Sequence, residues 1–136
     1  MNYLLDTNVI SELRKQNAHA SVVAWANAIH PQALFLSVVS VLEIERGILL
    51  VQRRDGHQAA VLRRWFERQI LATFRGRIVG VDVAVARRAA SLHIPDPAPE
   101  RDSLIAATAL VHGMALVTRN VQDFATTGAS LVDPWA

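Results

Sequence analysis

Four carboxylates stand where carboxylates are hard to place. Asp6 closes the apolar run Tyr3-Leu4-Leu5. Glu43 lies early in an apolar helical pattern after Ser40-Val41-Leu42. Asp102 opens the small-residue segment Ser103-Leu104-Ile105-Ala106-Ala107, and Asp123 follows Ala115–Thr118. Each acid borders a segment expected to be buried, where a carboxylate is costly unless it meets a cation or a hydrogen-bond donor. If several of them converge they form a site for a divalent metal. An all-oxygen set with no cysteine in the chain suits Mg²⁺ or Mn²⁺.

Taken singly, each acid has a plainer role. Asp6 can cap a helix at a strand–helix junction. Ser40-Val41-Leu42-Glu43 has the spacing of a capping box, in which the glutamate reaches back to the Ser40 amide. Asp102 sits where a helix cap would sit. Glu45, two residues after Glu43, points to the opposite side of that helix, so only one of the pair can face a given pocket. The acids form a site only if the elements that carry them bring them together.

Those elements read as short apolar strands alternating with helices. Strands are expected at Asn2–Asp6, Leu34–Ser37, Ile78–Val81, Ala115–Val117 and Ser130–Val132. Helices are expected from Thr7 or Asn8 to Lys15, Ser21–Ile29, Val41–Gln52, after the Asp55-Gly56 turn to Phe74, from an Asp82 cap to Leu92, and from Asp102 to His112 with Gly113 as its stop. Pro31 ends the second helix, and Ile94–Pro99, with three prolines, reads as an exposed loop. The strand runs are continuously apolar, as in a parallel sheet covered on both faces. The fold class is therefore α/β, and ligands of such sheets bind beyond the carboxyl ends of the strands. Asp6 and the Thr118–Asp123 segment fall at such ends, and the helix opened by Asp102 faces the same side.

Composition narrows the class. A chain of 136 residues, 51% hydrophobic and 19% charged, suits one ordered domain with a substantial core. No apolar run approaches the roughly 20 residues of a membrane span. The N-terminus lacks the basic region and cleavage site of a signal peptide, so a cytoplasmic location is expected. The net charge is +2, but Lys15 is the sole lysine among 14 basic residues; arginine's planar fork suits phosphate oxygens. Arg53, Arg54, Arg63, Arg64, Arg68, Arg75 and Arg77 cluster mid-chain, where a solvated face is the default reading and RNA-backbone contact the rival. Leu62, Trp65, Phe66, Gln69 and Ile70 form the opposing stripe and read as core or dimer interface. The five histidines show no metal-ligand spacing.

Four segments together resemble the PIN-domain ribonucleases, in particular toxins of the VapC and FitB type. They are Leu5-Asp6-Thr7-Asn8-Val9-Ile10-Ser11-Glu12, Leu36-Ser37-Val38-Val39-Ser40-Val41-Leu42-Glu43 with Gly47 after it, Asp102-Ser103-Leu104-Ile105-Ala106-Ala107-Thr108-Ala109, and Leu116-Val117-Thr118-Arg119-Asn120 through Asp123-Phe124. Their order spans nearly the whole chain. The resemblance implies a single PIN domain over residues 1–136, with three layers around a parallel sheet of about four to five strands. It implies a Mg²⁺- or Mn²⁺-dependent endoribonuclease acting as the toxin of a toxin–antitoxin pair. Carried over, Asp6, Glu43, Asp102 and Asp123 are the catalytic acids, Asp6 and Asp102 the direct metal ligands, and Thr7, Thr118 and Asn120 the supporting residues. Many relatives have Asp where Asn120 stands, which leaves the fourth ligand open between Asn120 and Asp123, with Asp96 a weaker contributor. Arg46 is a candidate for touching phosphate, although pairing with Glu43 is the simpler account. A homodimer, a DNA-binding antitoxin and an RNA substrate are the implied partners.

Two other classes compete. A phospho-receiver domain is also a small α/β protein with an acidic pocket, but it needs a lysine near its last strands and Lys15 is near the first. A catalytically silent PIN-like protein that acts by binding other proteins is left open by Asn120. A haloacid-dehalogenase-like phosphatase needs an acid two residues after Asp6, where Asn8 stands.

Overall fold

The computed structural model describes residues Met1–Ala136. Five strands form one parallel sheet: β1 (Tyr3–Leu5), β2 (Leu34–Ser37), β3 (Ile78–Val79), β4 (Ala115–Val117) and β5 (Leu131–Val132), in the order β3-β2-β1-β4-β5. The central strand β1 pairs with β2 through Tyr3 and Leu34, and with β4 through Leu5 and Val117. That register sets the residues following β1 and β4 side by side. Asp6 continues the ladder, its N–H donating to the Val117 carbonyl at 2.9 Å.

Both faces of the sheet are covered, as the unbroken apolar strands require. Leu5, Leu36 and Val117 point into one cluster with Val9, Ile10, Val22, Ile44, Ile48 and Phe66. These come from α1 (Thr7–Arg14), α2 (Ala20–Ala28), α3 (Val38–Gln52) and the π-helical turn Phe66–Leu71, which continues α4 (Gly56–Trp65). Leu4 and Leu116, one residue out of phase, point the other way onto Ile105, Ala106 and Ala109 of α6 (Glu100–His112). The small side chains of α6 let it lie against the sheet, while α5 (Val83–Ser91) packs outside it through Val85, Ala89 and Ala107. No helix is long and apolar enough to cross a membrane.

Several boundaries move, and two of the moves matter for function. α3 begins at Val38, three residues before its sequence-based start, because the Ser37 hydroxyl accepts the Val39 N–H at 3.0 Å. Ser40 is thus inside the first turn, and the Ser40–Glu43 capping box does not form. α6 begins at Glu100, so Asp102 lies within its first turn instead of capping it. Asp6 caps α1, as its place at a strand–helix junction allows, accepting the Thr7 N–H at 2.7 Å. Gly113 ends α6 in the left-handed region (φ 65°), as its position predicts.

The mid-chain arginines separate into different roles. Arg64 and Arg68 are exposed. Arg63 pairs with Glu45 at 2.9 Å, on the side of α3 away from Glu43. Arg77 is buried and donates to the carbonyls of Pro31, Leu34 and Thr73, each at 2.6 Å, tying the entry of β2 to the end of the π-helical turn. Arg77 is therefore a structural residue, not part of a solvated or RNA-facing surface. Phe66 of the opposing stripe is core, Leu62, Trp65 and Ile70 pack against it, and Gln69 is exposed.

Candidate functional site

The carboxyl edge of the sheet gathers three of the predicted acids. Asp6 follows β1 and is fully buried; Glu43 projects from the second turn of α3; Asp102 projects from the first turn of α6. All three point at one guanidinium. Arg101 Nε donates to Glu43 Oε2 at 2.7 Å, Nη1 donates to Asp102 Oδ1 at 3.1 Å, and Nη2 donates to Asp6 Oδ1.

Hydroxyls fix the same acids from behind. Thr118, buried at the end of β4, donates to Asp6 Oδ2 at 2.8 Å while accepting the Asn120 N–H at 3.0 Å. Thr7 donates to Glu43 Oε1 at 2.6 Å and shares a hydrogen bond with Ser40 Oγ at 2.8 Å. Asp6 thus receives Arg101, the Thr118 hydroxyl and the Thr7 amide, a set that compensates a buried carboxylate. Every buried side-chain polar atom in the protein has a partner.

The electrostatics follow from this packing. Burial pushes the Glu43 carboxyl upward, but hydrogen bonds from Arg101 and Thr7 and the positive fields of Arg101 and Arg46 outweigh it. The net effect holds Glu43 below the usual range. Burial likewise disfavours the charge on Arg101, and the carboxylates of Glu43 and Asp6 more than reverse that, so its guanidinium is held more firmly protonated than usual.

The remaining predicted residues are spread around this centre. Asn120 is exposed on the wall of a cavity of about 430 Å³ that also borders Thr7, Asn8, Lys15, Arg101 and Arg119. Asp123 is exposed in the 3-10 turn Val121–Phe124 and makes none of the bonds that tie the other three acids to Arg101. Asp96 is exposed in its loop. Arg46 is exposed; the partner of Glu43 is Arg101, not Arg46.

As the side chains stand, no three His, Asp or Glu residues form a metal-holding group. The donor set nonetheless fits a hard cation: Asp6, Glu43 and Asp102 each direct an oxygen at a single positive group, and all the donors are carboxylate oxygens. That positive group is the Arg101 guanidinium.

A PIN-domain family model matches residues 3–129. The chain is 35% identical over 138 residues to the Toxin FitB of Neisseria gonorrhoeae, with 97% of each chain covered. It is 31% identical to the VapC ribonuclease Y4jK of Sinorhizobium fredii, covering 97% of this chain and 96% of that one. The crystal structure of FitAcB from Neisseria gonorrhoeae superposes with a TM-score of 0.89 at 33% identity, covering 98% of both chains. The chain belongs to the PIN-domain family. Within it, the relatives are toxins of the VapC and FitB type.

In this PIN domain, sequence reasoning missed Arg101. The signal available was modest: a basic residue directly before Asp102, at the end of a proline-rich loop. An arginine there reads as an exposed first-turn residue. Only the closure of α6 onto the ends of β1 and α3 turns it inward.

Proposed function

We propose that this PIN domain is a Mg²⁺- or Mn²⁺-dependent endoribonuclease, the toxin of a toxin–antitoxin pair acting in the cytoplasm. The observation that carries the reading is the convergence of Asp6, Glu43 and Asp102 on one cation position at the carboxyl edge of a parallel sheet. Asp6 and Asp102 would hold the ion, with Glu43 completing the set. A bound divalent ion supplies Lewis acidity toward a phosphodiester and a more acidic water.

The chain's own residues do the remaining work. Thr118 and the Thr7 amide hold the buried Asp6 carboxyl in place. Thr7 holds one oxygen of Glu43, leaving Oε2 directed at the centre, where it can orient a water or accept its proton. Asn120 lines the cavity from which substrate would approach, and Asp123 would act through water. Arg119 on the cavity wall would provide positive charge for an RNA backbone, Lys15 there being paired with Glu12 at 3.1 Å, and Arg46 would contact phosphate farther out.

FitAB has been solved bound to an IR36 DNA fragment, which supports a DNA-binding antitoxin as the partner here. Leu42 and Leu49 on α3 are 57% and 51% exposed and lie seven residues apart on one helical face, which supports a homodimer through that stripe.

The test uses purified, antitoxin-free protein incubated with structured and unstructured RNA, with Mn²⁺, with Mg²⁺ and with chelator. Cleavage should require the metal and be lost in Asp6→Asn and Asp102→Asn. Equal cleavage by the wild type and both variants would mark a contaminant and refute the assignment. A second reading has one observation in its favour: the acids are already paired within the chain, as a catalytically silent binding protein would have them. Absence of cleavage with intact antitoxin binding would favour it.

A further inference from the structure

Arg101 occupies the point on which the acids converge. Its Nε, Nη1 and Nη2 are each used by a different carboxylate. Asp6 Oδ1, Glu43 Oε2 and Asp102 Oδ1 cannot face both that guanidinium and a metal ion. One positive charge among three carboxylates leaves the cluster negative, so a divalent ion is the better match for the charge.

Two of the three acids have partners besides Arg101. Asp6 keeps its bonds to Thr118 and the Thr7 amide, and Glu43 keeps Thr7, whichever way the guanidinium lies. Nor is Arg101 sealed in. Its side chain is 30% exposed and it borders the cavity shared with Lys15 and Arg119. The side chain can therefore swing out without opening the core or displacing Asp102, which is carried by the same helical turn.

Resting on the metal site read above, we propose that Arg101 is a built-in competitor for the divalent ion. Its guanidinium holds the acidic cluster closed when metal is absent, and metal loads only as the guanidinium withdraws into the adjoining cavity. There it joins Arg119 in facing an RNA phosphate, on a wall that also carries the Lys15–Glu12 ion pair. The residue thus alternates between counter-ion and phosphate contact.

Mn²⁺ binding to the full-length, antitoxin-free protein, followed by the loss of the free-ion paramagnetic resonance signal, tests this directly. Arg101→Met keeps the apolar stem and removes the charge. It should bind Mn²⁺ about tenfold more tightly than the wild type, a difference of about 1.4 kcal/mol. Arg101→Met/Asp6→Asn should lose that gain. Equal or weaker Mn²⁺ binding by Arg101→Met, with saturable binding by the wild type, would overturn the competition alone. Saturable binding by neither protein would overturn the metal reading as well.

A second measurement leaves the chain unaltered. The Arg101 Nε–H resonance of the wild type, displaced by its bond to Glu43, should move toward the position of a free arginine as Mg²⁺ is added, saturating with the binding isotherm. A resonance unmoved at metal saturation would refute withdrawal even if Arg101→Met does not fold.

Discussion

Thr118→Val separates the shape of the site from its hydrogen bonding. Valine has the volume of threonine, so the end of β4 should pack as before. What is lost is the hydroxyl that donates to Asp6 Oδ2 at 2.8 Å and accepts the Asn120 N–H at 3.0 Å. Asp6 is fully buried, so water cannot replace the donor. Stranding one partner of a buried hydrogen bond costs about 1–3 kcal/mol, and more when the partner is charged. With a carboxylate oxygen left bare we place the cost at about 3 kcal/mol. An unfolding entropy near 2.1 cal/mol/K per residue turns that into a fall in Tm of about 10 °C for a domain of this size. Thr118→Ser keeps the hydroxyl and removes one buried methyl group, at about 1 kcal/mol. The less isosteric substitution should therefore be the milder one. Urea unfolding followed by circular dichroism measures both, with an unchanged m-value as the check that the native state is intact. If Thr118→Val matches the wild type within about 0.5 kcal/mol, or is milder than Thr118→Ser, Asp6 does not depend on that hydroxyl. The account of how β4 holds the central acid then fails.

Three further outcomes test the local arguments. Ser37→Ala should cost about 1 kcal/mol by uncapping α3, and a capped peptide-like exchange pattern persisting at the Val39 amide in hydrogen exchange would contradict it. Arg77→Met should destabilise by about 3 kcal/mol, because three buried carbonyls lose their donor, whereas Arg64→Ala and Arg68→Ala should each stay within about 0.5 kcal/mol by urea unfolding; equal effects would erase the division of the arginines into structural and solvated. Glu43 has its carboxyl lowered in the folded protein, so its contribution to stability is complete above the unfolded value of 4.5 and drains away as pH falls through the lower folded value. Wild type and Glu43→Gln should consequently differ in urea midpoint near neutrality and converge below pH 4.5; a gap that widens on acidification has the wrong sign.

Much of the fold is legible because the strands carry their own signal. Short continuous apolar runs dictate covered parallel strands, and Asp6, Ser37 and Asp82 cap the helices that follow three of them. The boundaries that went astray share a cause. Two oxygen-bearing residues compete to cap α3, Ser37 and Ser40, and a local rule that sees a glutamate three residues after Ser40 selects the wrong one. Tertiary pairing decides instead: Ser40 is buried against Thr7, 33 residues away in sequence, and the cap falls to Ser37. At α6 the proline-rich loop leads directly into Glu100, so the helix starts without a side-chain cap and Asp102 is freed for the site.

That freedom is what distinguishes a site from a set of caps. Asp6 is both: one oxygen, Oδ1, accepts the Thr7 amide and the Arg101 guanidinium, and the other accepts Thr118. Glu43 and Asp102 each occupy the first or second turn of a helix with no backbone amide claimed by their carboxylates, and each gives one oxygen to Arg101. An acid that is buried and not used by its own helix must be neutralised by something that arrives from elsewhere in the chain or from outside it. Here the chain supplies it from the neighbouring position of Asp102. The same adjacency that hid Arg101 in the sequence places it within reach of all three acids once α6 docks. It also means that ordering Asp102 and ordering Arg101 are one folding event, since the first turn of α6 delivers both.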